Sequence, residues 1–149
     1  MILAIYLVMI VINIIFISDI KNLIIAAKMK STEWIALSIS LVIIAGLIFN
    51  YGSTMEHYIL GVLGGLLVIL ALYRRGITSK GFRSFKGILR WGDWDRVKLV
   101  IVSLQGQDIK VEFSVGYAIE IHFYKMEHYD RIIQILKENL SNEVVRIVK

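Results

Sequence analysis

The sequence predicts a membrane protein built from three transmembrane α-helices and a cytoplasmic α+β domain, the latter an antiparallel sheet or partial barrel with a C-terminal amphipathic helix. Three observations carry that expectation. Residues 2–17, 34–49 and 58–73 hold no charged side chain, and only Asn13, Ser38 and Ser40 interrupt them with conventional polar groups. From Gly76 onward the apolar runs give way to alternation with period two, the spacing of half-buried strands. Charge divides at the same place. Residues 1–73 balance Lys21, Lys28 and Lys30 against Asp19, Glu33 and Glu56, so residues 74–149 carry the whole net charge of +5.

A helix crossing the hydrocarbon core needs about 20 mainly apolar residues, and each run reaches that length by borrowing its flanks. The expected spans are about 1–18, 33–51 and 56–73, giving a transmembrane domain over 1–73. The first run has no basic segment before it and no small-residue cleavage site after it, so it reads as a retained helix. The loop 19–32 carries three lysines, the loop 50–57 carries no Lys or Arg, and Arg74 and Arg75 follow the third run directly. Basic flanks mark the cytoplasmic side. The N-terminus is therefore expected outside and residues 74–149 inside, in a multi-pass protein of the cell (inner) membrane. Segment 22–30, N-L-I-I-A-A-K-M-K, is too short to span. It is expected either to lie in the interface with its lysines toward headgroups or to extend the first helix.

Gly61 and Gly65 form a G-x-x-x-G pair beside Gly64, a helix-packing signal that serves either a dimer face or contacts within the three-helix unit. Asn13 can hydrogen-bond across helices. No ionisable residue falls inside an expected span, which argues against an ion pump or a proton-coupled transporter.

The second half begins with two expected strands, 77–82 and 85–91. A strand from 97 follows, with Val97, Leu99 and Ile101 on one face, then one over 109–115 with Ile109, Val111, Phe113 and Val115 on one face. In the next, Ile119, Ile121 and Phe123 alternate with Glu120 and His122. Turns at 105–108 and at Gly116 and Tyr117 join these as hairpins. Met126, Tyr129, Ile132, Ile133, Leu136 and Leu140 then follow helical spacing, predicting an amphipathic helix over about 126–140, and 144–148 adds a short last strand.

The segments G-I-T-S-K-G-F (76–82) and I-L-R-W-G-D-W-D-R-V (88–97), with a meander of strands before one amphipathic helix, resemble a bacterial pleckstrin-homology-like domain placed after transmembrane helices. The resemblance covers 74–149 and implies a barrel of seven strands. Five or six are legible here, so the barrel is expected to be open, or completed by another chain or by the first cytoplasmic loop. It also implies a non-enzymatic protein that binds or scaffolds a protein partner or the membrane surface. Some families with this layout are linked to resistance against membrane-active peptides, and an accessory subunit of a transporter or membrane enzyme complex is a further alternative. Trp91 or Trp94 is expected to anchor the domain's core.

Chemistry gives little else. Cysteine is absent, which excludes disulfides, thiolate metal sites and cysteine nucleophiles. His57 falls on the outer side, while His122 and His128 read as surface residues of the inner domain. No metal site, cofactor or catalytic residue is expected. Asp93 and Asp95 read as turn residues, with a paired-carboxylate role as the alternative. The basic residues Arg74, Arg75, Lys80, Arg83, Lys86 and Arg90, followed by Arg96 and Lys98, form the candidate binding cluster. Juxtamembrane basic groups attract anionic lipid headgroups; the alternative is that these charges only obey the positive-inside rule. The expected partners are the bilayer and a homo-oligomer or membrane protein partner, with no nucleic acid.

Overall fold

The computed structural model describes residues 2–84 and 92–148. The chain divides into two compact units that interleave in sequence: one comprises Met1–Lys21 and Met29–Arg74, the other Asn22–Lys28 and Arg75–Lys149. The single boundary expected at residues 73 and 74 is replaced by three crossings of the chain.

The first unit is helical. Helices α1 (Ile2–Lys21), α2 (Ser31–Tyr51) and α3 (Met55–Tyr73) hold 20, 21 and 19 residues. At 1.5 Å per residue each is about 30 Å long. Among the described residues, these three helices are long and apolar enough to cross a membrane. Leu3, Val42, Phe49 and Val62 are each more than two-thirds exposed, an apolar exterior suited to hydrocarbon. The glycines of α3 face its neighbours. A Cβ on Gly61 would overlap the Ile48 side chain of α2, one on Gly65 would lie 3.7 Å from Leu41, and one on Gly64 would lie 3.7 Å from Met9 of α1. The G-x-x-x-G pair thus serves contacts within the three-helix unit. Buried Asn13 donates from Nδ2 to the carbonyl oxygens of Met9 (2.9 Å) and Leu63 (3.4 Å), the second of these on α3.

The second unit holds two sheets and a helix. Strands β1 (Leu23–Ala26), β2 (Gly76–Thr78) and β3 (Gly81–Arg83) form an antiparallel sheet in the order β1-β2-β3. Strands β4 (Val97–Gln105), β5 (Asp108–Val115), β6 (Ala118–Lys125) and β7 (Val145–Val148) form a second sheet in the order β6-β5-β4-β7, with β7 parallel to β4. Helix α4 (Tyr129–Asn139) adds Ile132, Ile135 and Leu136 to the core, which also holds Ile25, Ile77, Phe82 and the inward residues of β4 and β5.

Several expectations are corrected here. Segment 22–30 does not simply prolong the first helix. Helix α1 continues one turn beyond residue 18 and stops at Lys21, and β1 then pairs with β2. Its β-branched Ile25 is 3% exposed and belongs to the second unit's core. The pairing needs Gly76, whose φ is +149° and whose missing side chain leaves room for the Ile25 carbonyl. Beyond β1, the Ala27 amide donates to Arg75 O (3.0 Å), the Lys28 amide donates to Phe123 O (2.6 Å), and Lys28 Nζ pairs with Asp108 (2.8 Å).

The single strand expected over 77–82 is instead the hairpin β2–β3, turning at Ser79 and Lys80, with Thr78 Oγ1 donating to Gly81 O (3.0 Å). The strand expected over 85–91 lies outside the described residues. In β4, a register shift between Val97 and Leu99 changes the phase. Val97, Val100 and Val102 are buried, and Leu99 and Ile101 move to the outer face. The helix expected over about 126–140 begins with a 3-10 turn at Met126–His128 and is α-helical only over Tyr129–Asn139.

Ile25→Ala should destabilise the second unit by about 2–5 kcal/mol, the usual cost of such a truncation in a core. Ile24→Ala, on the exposed side of the same strand, should stay within about 0.5 kcal/mol. Protease resistance of the second unit in the full chain reads both. Gly61→Ala should lower the thermal stability of the helical unit through overpacking worth about 1–3 kcal/mol. Gly46→Ala should not, because nothing lies within 4 Å of the added carbon.

Candidate functional site

The two-residue turn at Gly116 and Tyr117 fixes the register of β6. It sets Val115 opposite Ala118, so Phe113 pairs with Glu120, Val111 with His122 and Ile109 with Tyr124. Cross-strand partners share a face, and β5 buries Ile109, Val111, Phe113 and Val115. Strand β6 must therefore turn Glu120, His122 and Tyr124 inward and Ile119, Ile121 and Phe123 outward. His122, expected on the surface, is 0% exposed; Ile119 is 58% exposed.

The inward side chains form a polar strip. His122 Nδ1 lies 2.9 Å from the Tyr124 hydroxyl, and His122 Nε2 lies 3.7 Å from Glu120 Oε1. The Phe82 and Phe113 rings, stacked at 4.2 Å, present T-shaped contacts to the imidazole at 5.7 and 5.6 Å. Burial raises the Tyr124 pKa above its ordinary value, while the Arg75 guanidinium opposes that rise. The hydroxyl thus stays protonated and can donate to Nδ1, and the matching tautomer points Nε2–H toward Glu120. A carboxylate, an imidazole and a hydroxyl in line resemble a proton relay. Here the imidazole and the hydroxyl are closed to solvent, and the tyrosine is pushed away from reactivity. The Tyr124 hydroxyl and His122 Nδ1 satisfy one another inside the core, and the strip gives edge strand β6 inward-pointing polar side chains, a known device against edge-to-edge pairing.

The outward side chains form a mixed face, with the apolar residues of β4 and β6 separated by Ser114, Glu112 and Lys110 of β5. The register aligns Ile119, Ser114 and Leu99 in one row; Ile121, Glu112, Ile101 and Arg146 in the next; and Phe123, Lys110, Ser103 and Val148 in a third. Tyr117, at the turn beside the first row, is fully exposed. The sequence carried a signal for this arrangement in the parity of the hairpin. A two-residue loop makes residues 115 and 118 face the same way, so burial of Val115 dictates burial of the even-numbered positions of β6.

The basic cluster is dispersed. Arg74 is 0% exposed, with Nη1 3.2 Å from Asp19 Oδ2 and its guanidinium 3.9 Å above the Phe16 ring. Arg75 is buried and donates from Nη2 to Ile121 O at 3.4 Å. Arg83 pairs with Asp93 at 3.4 Å. Lys80 is exposed in the β2–β3 turn, and Lys86 and Arg90 lie outside the described residues. The expectation of one headgroup-facing cluster is corrected for Arg74 and Arg75, whose cations are taken up inside the protein. Asp93 is buried and Asp95 exposed, so the two carboxylates do not form a working pair. Trp94 packs at the rim of the core, 6.4 Å from Phe113, with Nε1 donating to Ser79 O (3.1 Å); Trp91 lies outside the described residues. Among the described residues, no group of three His, Cys, Asp or Glu side chains is placed to hold a metal ion.

Removing one partner of a buried ion pair costs about 3–5 kcal/mol because the other charge is left uncompensated. Asp19→Leu and Arg74→Met should each lower the thermal stability of the helical unit strongly, and the double variant should recover most of the loss. Tyr124 supplies a pH signature. Its folded pKa is raised above the unfolded 10.0, so its contribution is complete below pH 10 and is lost as pH rises above it. Above that point the wild type should lose stability faster than Tyr124→Phe by up to about 1.4 kcal/mol per pH unit. Alkaline unfolding of both proteins measures the difference.

No family model, no curated protein and no solved structure matches this chain.

Proposed function

We propose that this protein is a membrane-anchored, non-enzymatic interaction module whose β-rich unit binds a protein partner through the outer face of its four-stranded sheet. The observation that carries the reading is the facing of β6. Strand β6 holds Glu120, His122 and Tyr124 inside and leaves Ile119 and Ile121 at the surface, on the same face as Leu99 and Ile101 of β4. Apolar patches on soluble domains mark places where another molecule sits.

In this reading the three helices cross the cell membrane with the N-terminus outside and the β-rich unit in the cytoplasm. The lysines of the first loop and Arg74 and Arg75 support that orientation. The pairing of β1 with β2 accords with three spans, which set the α1–α2 loop on the same side of the membrane as residues 76–78, and the side itself rests on the charges. The pleckstrin-homology-like resemblance belongs to the same proposal. Two sheets and a helix support it, and β1 supplies a strand that the sequence of 74–149 lacked. Strand β7, following the helix and parallel to β4, departs from the expected order.

The chain has no cysteine, so one introduced thiol is unambiguous. In native membranes Ile101→Cys should react with a hydrophilic maleimide far more slowly than Gln107→Cys in the exposed β4–β5 turn. Unfolding in denaturant should bring the two rates together. Labelling of Ile101→Cys in native membranes at the rate its half-exposed position allows would refute the docking face.

A further inference from the structure

We propose that the partner seated on the outer sheet face is a second copy of this chain, related by a twofold axis running along β4. The inference rests on the docking face proposed above and names its occupant. Its basis is the charge order across the sheet. In the central row, Ile101 of β4 has Glu112 of β5 on one side and Arg146 of β7 on the other. Neighbouring strands are about 4.8 Å apart, so the two charges stand at equal distances from Ile101 with opposite sign. A twofold axis laid along β4, between two such faces, exchanges the two sides. Each Glu112 then lies opposite the copy's Arg146, and each Ile101 meets its own equivalent. That is the self-complementarity an isologous interface requires.

Along the axis itself, Leu99 and Ile101 form an apolar centre, while Ile119, Ile121 and Phe123 on β6, two strands from β4, lie beyond the copy's edge strand β7. Arg146 is exposed, and Glu112 is partly exposed. Glu112 Oε1 also holds Lys110 at 2.5 Å, and a carboxylate can accept from both cations. The axis keeps the strands of the two sheets aligned, as in a two-sheet sandwich about 10 Å thick. Copies anchored in one membrane also meet at a raised effective concentration.

The test uses the full chain, purified and reconstituted alone in lipid vesicles. A short bis-maleimide should join two copies of Ile101→Cys efficiently. It should join few copies of Glu138→Cys, which lies on the exposed side of α4. In the Ile101→Cys background, Glu112→Arg and Arg146→Glu should each cut the cross-linked fraction several-fold. The charge-swapped double variant should restore it, a recovery that misfolding of either single variant would not produce. Cross-linking at position 101 no better than at 138, or no recovery in the double variant, would overturn the proposal. If Ile101→Cys is shielded in native membranes yet freely labelled and not cross-linked in the pure vesicles, the docking face stands and its occupant is a different protein. If it is freely labelled in both, face and occupant fall together.

Discussion

Everything in the β-rich unit depends on a four-residue strand that the chain makes between its first two long helices. Strand β1 supplies Ile25 to the core, covers one edge of β2, and leads to Lys28, whose amide holds β6 at Phe123 and whose ammonium holds Asp108 at the start of β5. The strand runs only from residue 23 to 26, and alone it would be far too short to persist. It is held because every neighbouring feature is shaped for it, Gly76 above all, where any side chain would collide with the Ile25 carbonyl. The consequence is an interleaved chain, in which neither unit is a continuous stretch of sequence.

A second constraint sets what the sheet shows to the outside. The hairpin at residues 116 and 117 passes the phase of β5 on to β6, and the shift between Val97 and Leu99 sets the phase of β4. Together they gather the aliphatic residues Leu99, Ile101, Ile119 and Ile121 on one side and bury a histidine, a tyrosine and a glutamate on the other. Burying that strip costs desolvation that three aliphatic residues would not. That cost is offset in part by the hydrogen bond between the Tyr124 hydroxyl and His122 Nδ1. In return, the strand gains an inward polar character that discourages mispairing, and it frees its aliphatic residues to build a face.

The legible part of the fold was the part governed by a single periodicity. The three long helices, the strand over 108–115 with its inward Ile109, Val111, Phe113 and Val115, both hairpin turns and the last strand follow from runs and alternation alone. The sequence misled wherever a long-range partner overruled local pattern. Ile24 and Ile25 look like interfacial or helical residues until β2 is known to lie beside them. Ile119, Ile121 and Phe123 look like a core face until the register is counted through the turn. Arg74 looks like a headgroup ligand until Asp19, 55 positions earlier, is found at its side. Of the candidate site, the basic residues were legible as a charge run and not as the separate contacts that Arg74, Arg75 and Arg83 make. The outer face was hidden because alternating strands do not announce which of their two faces is buried.

The most direct measurement is of the β1–β2 pairing itself. In a chain free of other thiols, Leu23→Cys and Thr78→Cys are direct cross-strand partners in the register observed, within the Cα separation a disulfide accepts. Ala26→Cys with Thr78→Cys sets the two thiols two residues out of register, since Ala26 faces Gly76. Mild oxidation of the full chain should form the 23–78 disulfide rapidly and in high yield, and the 26–78 disulfide poorly. Equal and slow formation of both would mean that the α1–α2 loop does not enter the β-rich unit, and the interleaved architecture would be wrong.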